Sequence, residues 1–356
     1  MRIGLFGFPQ TGRSTLFGLL TGTDARASRG ELQVGVSRVP EPRLDRLAAL
    51  YKPRKVTPAT IEYLDLVGVN KGEAADVLPL DQLRFADALA HVVRGFEDES
   101  VHHVEGSVDP ARDVATMETE LLLADHSIAE RRIEKLEPIV SKTNRNEEKK
   151  ELALLRAVLS GLERGTPLRD AEFSPEDEKL LRGFTFLTLK PLLVVVNADE
   201  KDAARLDEGA AAFGLADYAG RPSTEAVALS AKIEAEIAGL DAEHAAEFRA
   251  DLGIREPALD RMIRASYRLL GRVSFFTVGE DECRAWTVRR ETRARNAAGT
   301  IHSDIEKGFI RAEVVPCQAL LDAGSWSTAR ERGALRLEGQ DYRIQDGDIA
   351  HFRFNV

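Results

Sequence analysis

Residues 3–22 read IGLFGFPQTGRSTLFGLLTG: an apolar run, a glycine-bounded turn, then a second apolar-periodic segment. That order specifies strand, tight loop and helix. Gly7 to Thr15 carries the spacing of a phosphate-cradling loop, Gly-x4-Gly followed by a basic residue and a hydroxyl residue, with Arg13 where a lysine is usual. Gly7 and Gly12 permit a backbone tight enough for Phe8, Pro9, Gln10, Thr11 and Gly12 to surround one point. The helix start at Arg13, Ser14 and Thr15 aims its positive end at the same point, which suits a polyphosphate. Ser14 would ligate Mg²⁺ through its hydroxyl. A guanidinium is a planar fork rather than a point charge, so the replacement at Arg13 tells against hydrolysis more than against binding.

The next signals extend this nucleotide reading. Ala59 to Leu64 is a β-rich run ending in Asp65-Leu66-Val67-Gly68, an Asp-x-x-Gly pattern in which Asp65 would hold Mg²⁺ through water and the Gly68 N–H would meet the terminal phosphate. Val69 follows where Ras-type enzymes place a water-orienting glutamine, a task an apolar side chain cannot perform. Thr23 to Leu32 reads as an exposed loop, and residues 24 to 38 contain no threonine to serve a metal and γ-phosphate. Leu192 to Val196 is a buried-strand run leading to Asn197-Ala198-Asp199-Glu200, placed for base recognition. The guanine-reading Asn-Lys-x-Asp is broken there by Ala198 and Glu200. One strand later, Ala226 to Leu229 runs into Ser230-Ala231-Lys232, a last nucleotide loop. Loops after successive strands in this order predict a doubly wound α/β nucleotide-binding fold.

Two further regions differ in pattern. Met117, Leu121, Ala124 and Ile128, then Ile133, Leu136 and Val140, keep helical spacing up to a polar turn at 141–146, after which Leu152, Leu155, Leu159 and Leu162 resume it. This predicts an antiparallel helical hairpin. Between 131 and 150, seven Lys or Arg face four Glu, which reads either as a solvated surface or as a basic tip for an RNA-containing partner. From Val273 the chain becomes compact and glycine-punctuated, and Asp346-Gly347 between alternating runs signals a hairpin turn. Arg284, Arg289, Arg290, Arg293 and Arg295 oppose only Glu291 beside Trp286, either an ordinary exposed loop or a contact for RNA backbone and base.

Composition sets the bounds. The 356 residues allow two or three domains, and 43% hydrophobic with 30% charged residues is the balance of a soluble globular protein. No apolar run is long enough for a membrane span, and a strand starting at the N-terminus leaves no room for a signal peptide. Cys283 and Cys317 lack metal-ligand spacing and cannot frame a disulfide scaffold, which makes a reduced, cytoplasmic setting the expectation. A net charge of −10 argues against indiscriminate nucleic-acid binding, and sequence-specific DNA is not an expected partner.

Together these segments resemble the YchF or Obg-like ATPase family of translation-factor-class P-loop proteins. The resemblance rests on GFPQTGRSTLF, VPEPRLDRLAALYKPRKVTPATIEYLDLVG, HVVRGFEDESVHHVEGSVDPARD, NADE and SAKIEAEI, and on AAGTIHSDIEKGFIRAEV with QDGDIAHFRFNV near the C-terminus. It implies a P-loop G domain at 1–116 and 190–272, a helical coiled-coil insertion at 117–189, and a TGS-like β-grasp α+β domain at 273–356. It also implies preference for ATP over GTP, since the family carries Asn-x-x-Glu where Asn197 to Glu200 lie, and association with the ribosome, by way of the hairpin and the TGS-like domain. Three departures from the family bear on catalysis: Arg13, the missing switch threonine, and the shortened GEAADVLPLDQL after Lys71. The first expectation is therefore an ATP-binding ribosome switch with weak Mg²⁺-dependent hydrolysis. The second is a non-hydrolysing ribosome- or RNA-binding adaptor, and a GTPase is disfavoured.

Overall fold

The computed structural model describes all residues except 24–31, 66–79, 144, 219 and 356. The chain divides into two compact units, Met1–Ser37 with Glu62–Leu269, and Arg38–Ile61 with Leu270–Val356. Its strands in chain order are β1 (Arg2–Phe6), β2 (Gln33–Arg38), β3 (Lys55–Thr57), β4 (Thr60–Asp65), β5 (Ala88–Gly95), β6 (Leu192–Ala198), β7 (Thr224–Leu229), β8 (Arg272–Thr277), β9 (Glu282–Arg289), β10 (Phe309–Pro316), β11 (Arg336–Glu338) and β12 (Asp348–Phe354).

The first unit is built on a six-stranded sheet in the order β2-β4-β1-β5-β6-β7. The pairs β1–β4, β1–β5, β5–β6 and β6–β7 are all parallel. Every residue of β6 and nearly every residue of β5 is buried, the near-continuous apolar composition that a sheet covered on both faces demands. The order reverses at β1, whose neighbours β4 and β5 follow it in sequence on opposite sides. The crevice beyond the carboxyl ends of strands at such a reversal is where doubly wound folds bind ligands. Register sets what lies there: Asp65 sits level with Leu5, and Asn197 lies between Arg94 and Leu229.

The helical periodicity is realised as two helices, Pro110–Thr143 and Asn146–Glu163. The first starts ahead of Met117 and passes from one core into another. Val114, Met117 and Leu121 pack against the parallel sheet, whereas Leu122, Ala129, Ile133 and Leu136 pack with Leu152, Leu155, Val158 and Leu162 of the second helix. Asp125 anchors the chain as it returns from the hairpin: its carboxylate accepts from the N–H groups of Leu187 (2.9 Å) and Thr188 (2.7 Å) and from Arg84 (3.3 Å).

The second unit carries a sheet in the order β11-β10-β12-β8-β9-β3. A core of Val273, Phe275, Val288, Ala312, Val314 and Phe352 packs against the helix Ala294–Ile301. Residues 38–61 join this unit. Lys55 to Thr57 pair in parallel with Glu282 to Arg284, and Thr57 Oγ1 donates to Glu282 at 2.5 Å. Asp346-Gly347 does form a turn, but not between two paired strands. The segment before it makes only a single bridge, Arg343 with Arg293, and β12 pairs instead with β10 and β8. The cause lies in the turn itself. Asp346 accepts from the Ser274 N–H (2.9 Å) and from Arg43 (2.8 Å), and the Gly347 N–H donates to Ser274 O (2.8 Å), steering the chain onto β8.

Candidate functional site

The loop after β1 adopts a shape that requires glycine at two positions. Gly7 has φ 145°, and a Cβ there would lie 2.3 Å from the Val92 carbonyl oxygen. Gly12 has φ 85°, and its Cβ would lie 2.2 Å from Asn197 Nδ2. Gln10 takes a left-handed conformation at φ 64°, which costs a non-glycine residue about 1–2 kcal/mol. Such strain concentrates at ligand-binding loops. Helix α1 (Arg13–Thr21) follows with no side-chain N-cap bond and no acidic residue in its first turn. Its leading N–H groups and the positive end of its dipole therefore face the loop without an internal anion. Thr11 is buried and its hydroxyl donates to Phe8 O at 3.2 Å, closing the loop on itself. Phe8 and Ser14 are half-buried, while Pro9, Gln10 and Thr15 are exposed on the loop's outer side.

Arg13 turns back from α1 to Asp65 at the end of β4. Its Nε donates to Asp65 Oδ1 at 2.7 Å, with the two side chains 12% and 1% exposed, and its Nη1 lies 3.5 Å from Gly7 O. Asp65 Oδ2 is buried without a hydrogen-bond partner among the described residues. This orphaned oxygen leaves Asp65 one acceptor for a metal-bound water, and Ser14, half-buried at the start of α1, is the hydroxyl expected to join it. The other carboxylate oxygen is already committed to Arg13. No group of three or more His, Cys, Asp or Glu suited to a metal occurs among the described residues. Gly68, Val69 and the GEAADVLPLDQL segment as far as Pro79, together with most of the Thr23–Leu32 loop, lie outside the described residues.

The end expected to hold the base is fixed by neutral bonds. The Asn197 side chain, 5% exposed, donates through Nδ2 to Thr11 O (2.9 Å) and accepts through Oδ1 from the Ala231 N–H (2.9 Å). One amide thus ties the phosphate loop to the start of helix α2 (Ala231–Ala238) and keeps a second Nδ2 hydrogen for a ligand. Ser230 caps that helix, its oxygen accepting from the Ile233 N–H. Ala198 is buried, and Asp199 caps the turn that presents Glu200. Glu200 Oε2 meets Lys232 Nζ at 2.5 Å, and this carboxylate holds the Lys232 ammonium above the usual lysine range.

Three residues on β5 and in the loop that follows it have structural roles that the sequence did not assign them. His91 on β5 is buried beneath the loop, stacked on Phe6 with ring centroids 4.8 Å apart; burial pushes its pKa down to about 3, so it is neutral. Arg94, 2% exposed, donates to the carbonyls of Phe96 (3.0 Å), Val101 (2.9 Å) and Asp98 (3.3 Å), fixing the loop after β5. His103 accepts at Nδ1 from the Glu105 N–H (3.1 Å), which leaves the proton on Nε2 to meet Asp113 at 2.9 Å. A charged or imidazole residue inside an apolar strand run, as in LAHVVRG, was the available signal.

The basic segments are partly spent on internal pairs. In the hairpin, Arg132 pairs with Glu151 (2.7 Å), Arg145 with Glu148 (3.3 Å) and Lys150 with Glu176 (3.9 Å), whereas exposed Lys135, Lys142 and Lys149 have no ion pair among the described residues. In the second unit, Arg284 lies 3.9 Å over the Trp286 ring, Arg293 pairs with Asp341 (2.9 Å) and Arg295 donates to Glu306 O (3.2 Å). Arg289 and Arg290 remain exposed there. Both cysteines are buried and free, and no helix among the described residues is long and apolar enough to cross a membrane.

Comparison with known proteins places these features in one family. Residues 273–355 match the family described as YchF-GTPase_C, protein of unknown function (DUF933). The chain is 40% identical to the ribosome-binding ATPase YchF of Bacillus subtilis (strain 168), with 99% of each sequence covered. It is 34% identical to Obg-like ATPase 1 of Oryza sativa subsp. japonica, covering 100% of this chain and 92% of the relative. The structure of the Schizosaccharomyces pombe YchF GTPase superposes with a TM-score of 0.86 at 30% identity, over 99% of this chain and 97% of that one. Identity of 40% along nearly the whole of both sequences, with a parallel sheet reversing at a glycine-bounded loop and the matching C-terminal region, makes this chain a member of the YchF/Obg-like ATPase family.

Proposed function

We infer that this chain binds ATP at the loop formed by residues 8–15, hydrolyses it slowly with Mg²⁺, and acts as a nucleotide-dependent factor on the ribosome. The observation that carries the reading is the Asn197 strut, which joins Thr11 of the phosphate loop to Ala231 and so assembles both ends of one nucleotide pocket. The names of the relatives from Bacillus subtilis and Oryza sativa, both ATPases and the first ribosome-binding, support it. ATP is favoured over GTP because Ala198 and Glu200 replace the lysine and aspartate that read guanine, and Glu200 is already paired with Lys232. Ser14 and Asp65 would hold Mg²⁺, which supplies charge neutralisation at the phosphates when bound. Gly68 would add an N–H to the terminal phosphate.

The domain division that goes with this function is a P-loop G domain at 1–116 and 190–272, a coiled-coil insertion at 117–189 and a TGS-like β-grasp domain at 273–356. Segment 38–61 departs from that division, since its β3 pairs with β9 and it belongs to the second compact unit. The unpaired lysines of the hairpin and Arg289 with Arg290 are the groups offered to ribosomal RNA in the cytoplasm. The adaptor reading, in which nucleotide is bound but never hydrolysed, is favoured by one observation, the Arg13–Asp65 pair.

Titration with labelled ATP and GTP, followed by phosphate release, tests the nucleotide claim. ATP binding with slow release of phosphate is the expected result; binding without release selects the adaptor, and binding of neither nucleotide refutes the site. Co-sedimentation with ribosomes at rising salt tests the partner. Pelleting that weakens with salt is expected, and no pelleting at low salt removes the ribosome claim.

A further inference from the structure

We propose that Arg13 takes the divalent cation's place at Asp65, so that the ligand of this site in its resting state is metal-free ATP rather than the magnesium complex. The inference rests on the nucleotide reading above and specifies which form of the nucleotide is bound.

Asp65 ends β4 level with Leu5 of β1, the position from which a carboxylate reaches a phosphate-bound metal through water. Arg13 reaches that carboxylate from the other side of the loop. Its Nε lies 2.7 Å from Oδ1, and at 12% and 1% exposure the pair is largely shielded from solvent. The guanidinium carries five N–H donors in a rigid plane. With Nε on Asp65 and Nη1 leaning 3.5 Å from Gly7 O, further N–H groups remain for a phosphate oxygen above the loop. Carboxylate, cation and phosphate are thereby bridged in the sequence that Mg²⁺ and its water otherwise provide. A lysine has a single nitrogen and no fork with which to span both partners. Mg²⁺ entering at the orphaned Asp65 Oδ2 would set a second cation against the first on one carboxylate. The two cations therefore compete. Affinity for ATP becomes indifferent to Mg²⁺, and hydrolysis waits for Arg13 to leave Asp65.

The test is ATP affinity of the full-length protein measured calorimetrically in excess Mg²⁺ and in EDTA, for wild type and Arg13→Lys. Wild-type affinity is expected to change by less than about threefold between the two conditions, and Arg13→Lys to gain roughly tenfold or more from Mg²⁺. Water-proton relaxation with Mn²⁺ and ATP gives an independent reading: enhancement on adding Arg13→Lys protein and none on adding wild type. Wild-type binding that requires Mg²⁺ overturns the inference and leaves the nucleotide site standing. Binding by neither protein in either condition removes both. The wild-type measurement decides the matter even if Arg13→Lys folds poorly, which circular dichroism would reveal.

Discussion

At the loop after β1 the chain is fastened by charge, Arg13 to Asp65 at 2.7 Å; at the carboxyl end of β6, the proposed base end, it is fastened by one neutral amide, Asn197, with two bonds of 2.9 Å. Both fastenings are buried and both act on the same short loop, yet they answer to different conditions. An ion pair can be exchanged for another ion, so the proposed phosphate end is the one that a metal or a phosphate can alter. An amide holding two backbone groups has no such rival, and the base end keeps its shape in every ionic setting. A site of this kind can vary its chemistry at one end while the frame at the other stays fixed.

The comparison fails most visibly if the loop between the two ends is forced open. Gly12→Ala sets a methyl group 2.2 Å from Asn197 Nδ2 at a φ of 85°, and we expect ATP affinity to fall at least roughly 100-fold, read by titration on protein whose circular dichroism is unchanged. Affinity within a few-fold of wild type would mean that the two ends do not share one loop geometry. Arg13→Ala leaves Asp65 a buried charge without its cation and should cost about 3 kcal/mol in urea unfolding. Asn197→Ala strands the Thr11 carbonyl and the Ala231 N–H and should cost about 2–3 kcal/mol. Added salt tests how well each is shielded. Because both fastenings are buried, neither effect should change much as ionic strength rises; a marked salt dependence for Arg13→Ala would show that the ion pair is open to solvent.

The smallest expected effect concerns His91. Its pKa of about 3 in the folded protein lies below the ordinary histidine value of about 6.5. Between these values the unfolded chain binds the extra proton, so stability is complete above about pH 6.5 and is lost as pH falls toward 3. The loss from about pH 7 to about pH 5 should be about 2 kcal/mol from this group. His91→Leu should remove that part of the pH dependence in urea unfolding; an unchanged slope would show that His91 does not carry it.

Much of this frame could be read from residue order. The β1 loop, the strands leading to Asp65, Asn197 and Ser230, and the two-helix hairpin all carry local periodicity or turn chemistry that a short window reveals. What could not be read were pairings across long separations. Nothing local to Arg13 points to Asp65, nor anything in Glu200 to Lys232, because each pair is set by sheet order and register. The helix from Pro110 was legible only from Met117, since Asp113 and Arg112 in its first turn are occupied with His103 and Ser107 and blur the apolar spacing. Asp346-Gly347 announced a turn correctly but not its destination, which tertiary bonds from Ser274 and Arg43 select.

The helix Pro110–Thr143 belongs to two cores at once, and that has a mechanical consequence. Its base, through Val114, Met117 and Leu121, is clamped to the sheet that carries the nucleotide loop, and its outer part is stiffened by the partner helix. At 1.5 Å per residue, the stretch beyond Leu121 is a cantilever of roughly 30 Å. A tilt of a few degrees at the clamp therefore becomes a displacement of a few ångströms at the lysine-bearing end, where Pro138 forms a soft joint, lacking an N–H for the helix ladder. Spin-label distances from the sheet to either side of Pro138, taken with and without ATP, would register that deflection as a shift that grows with distance from the clamp; equal shifts at both labels would rule out a lever.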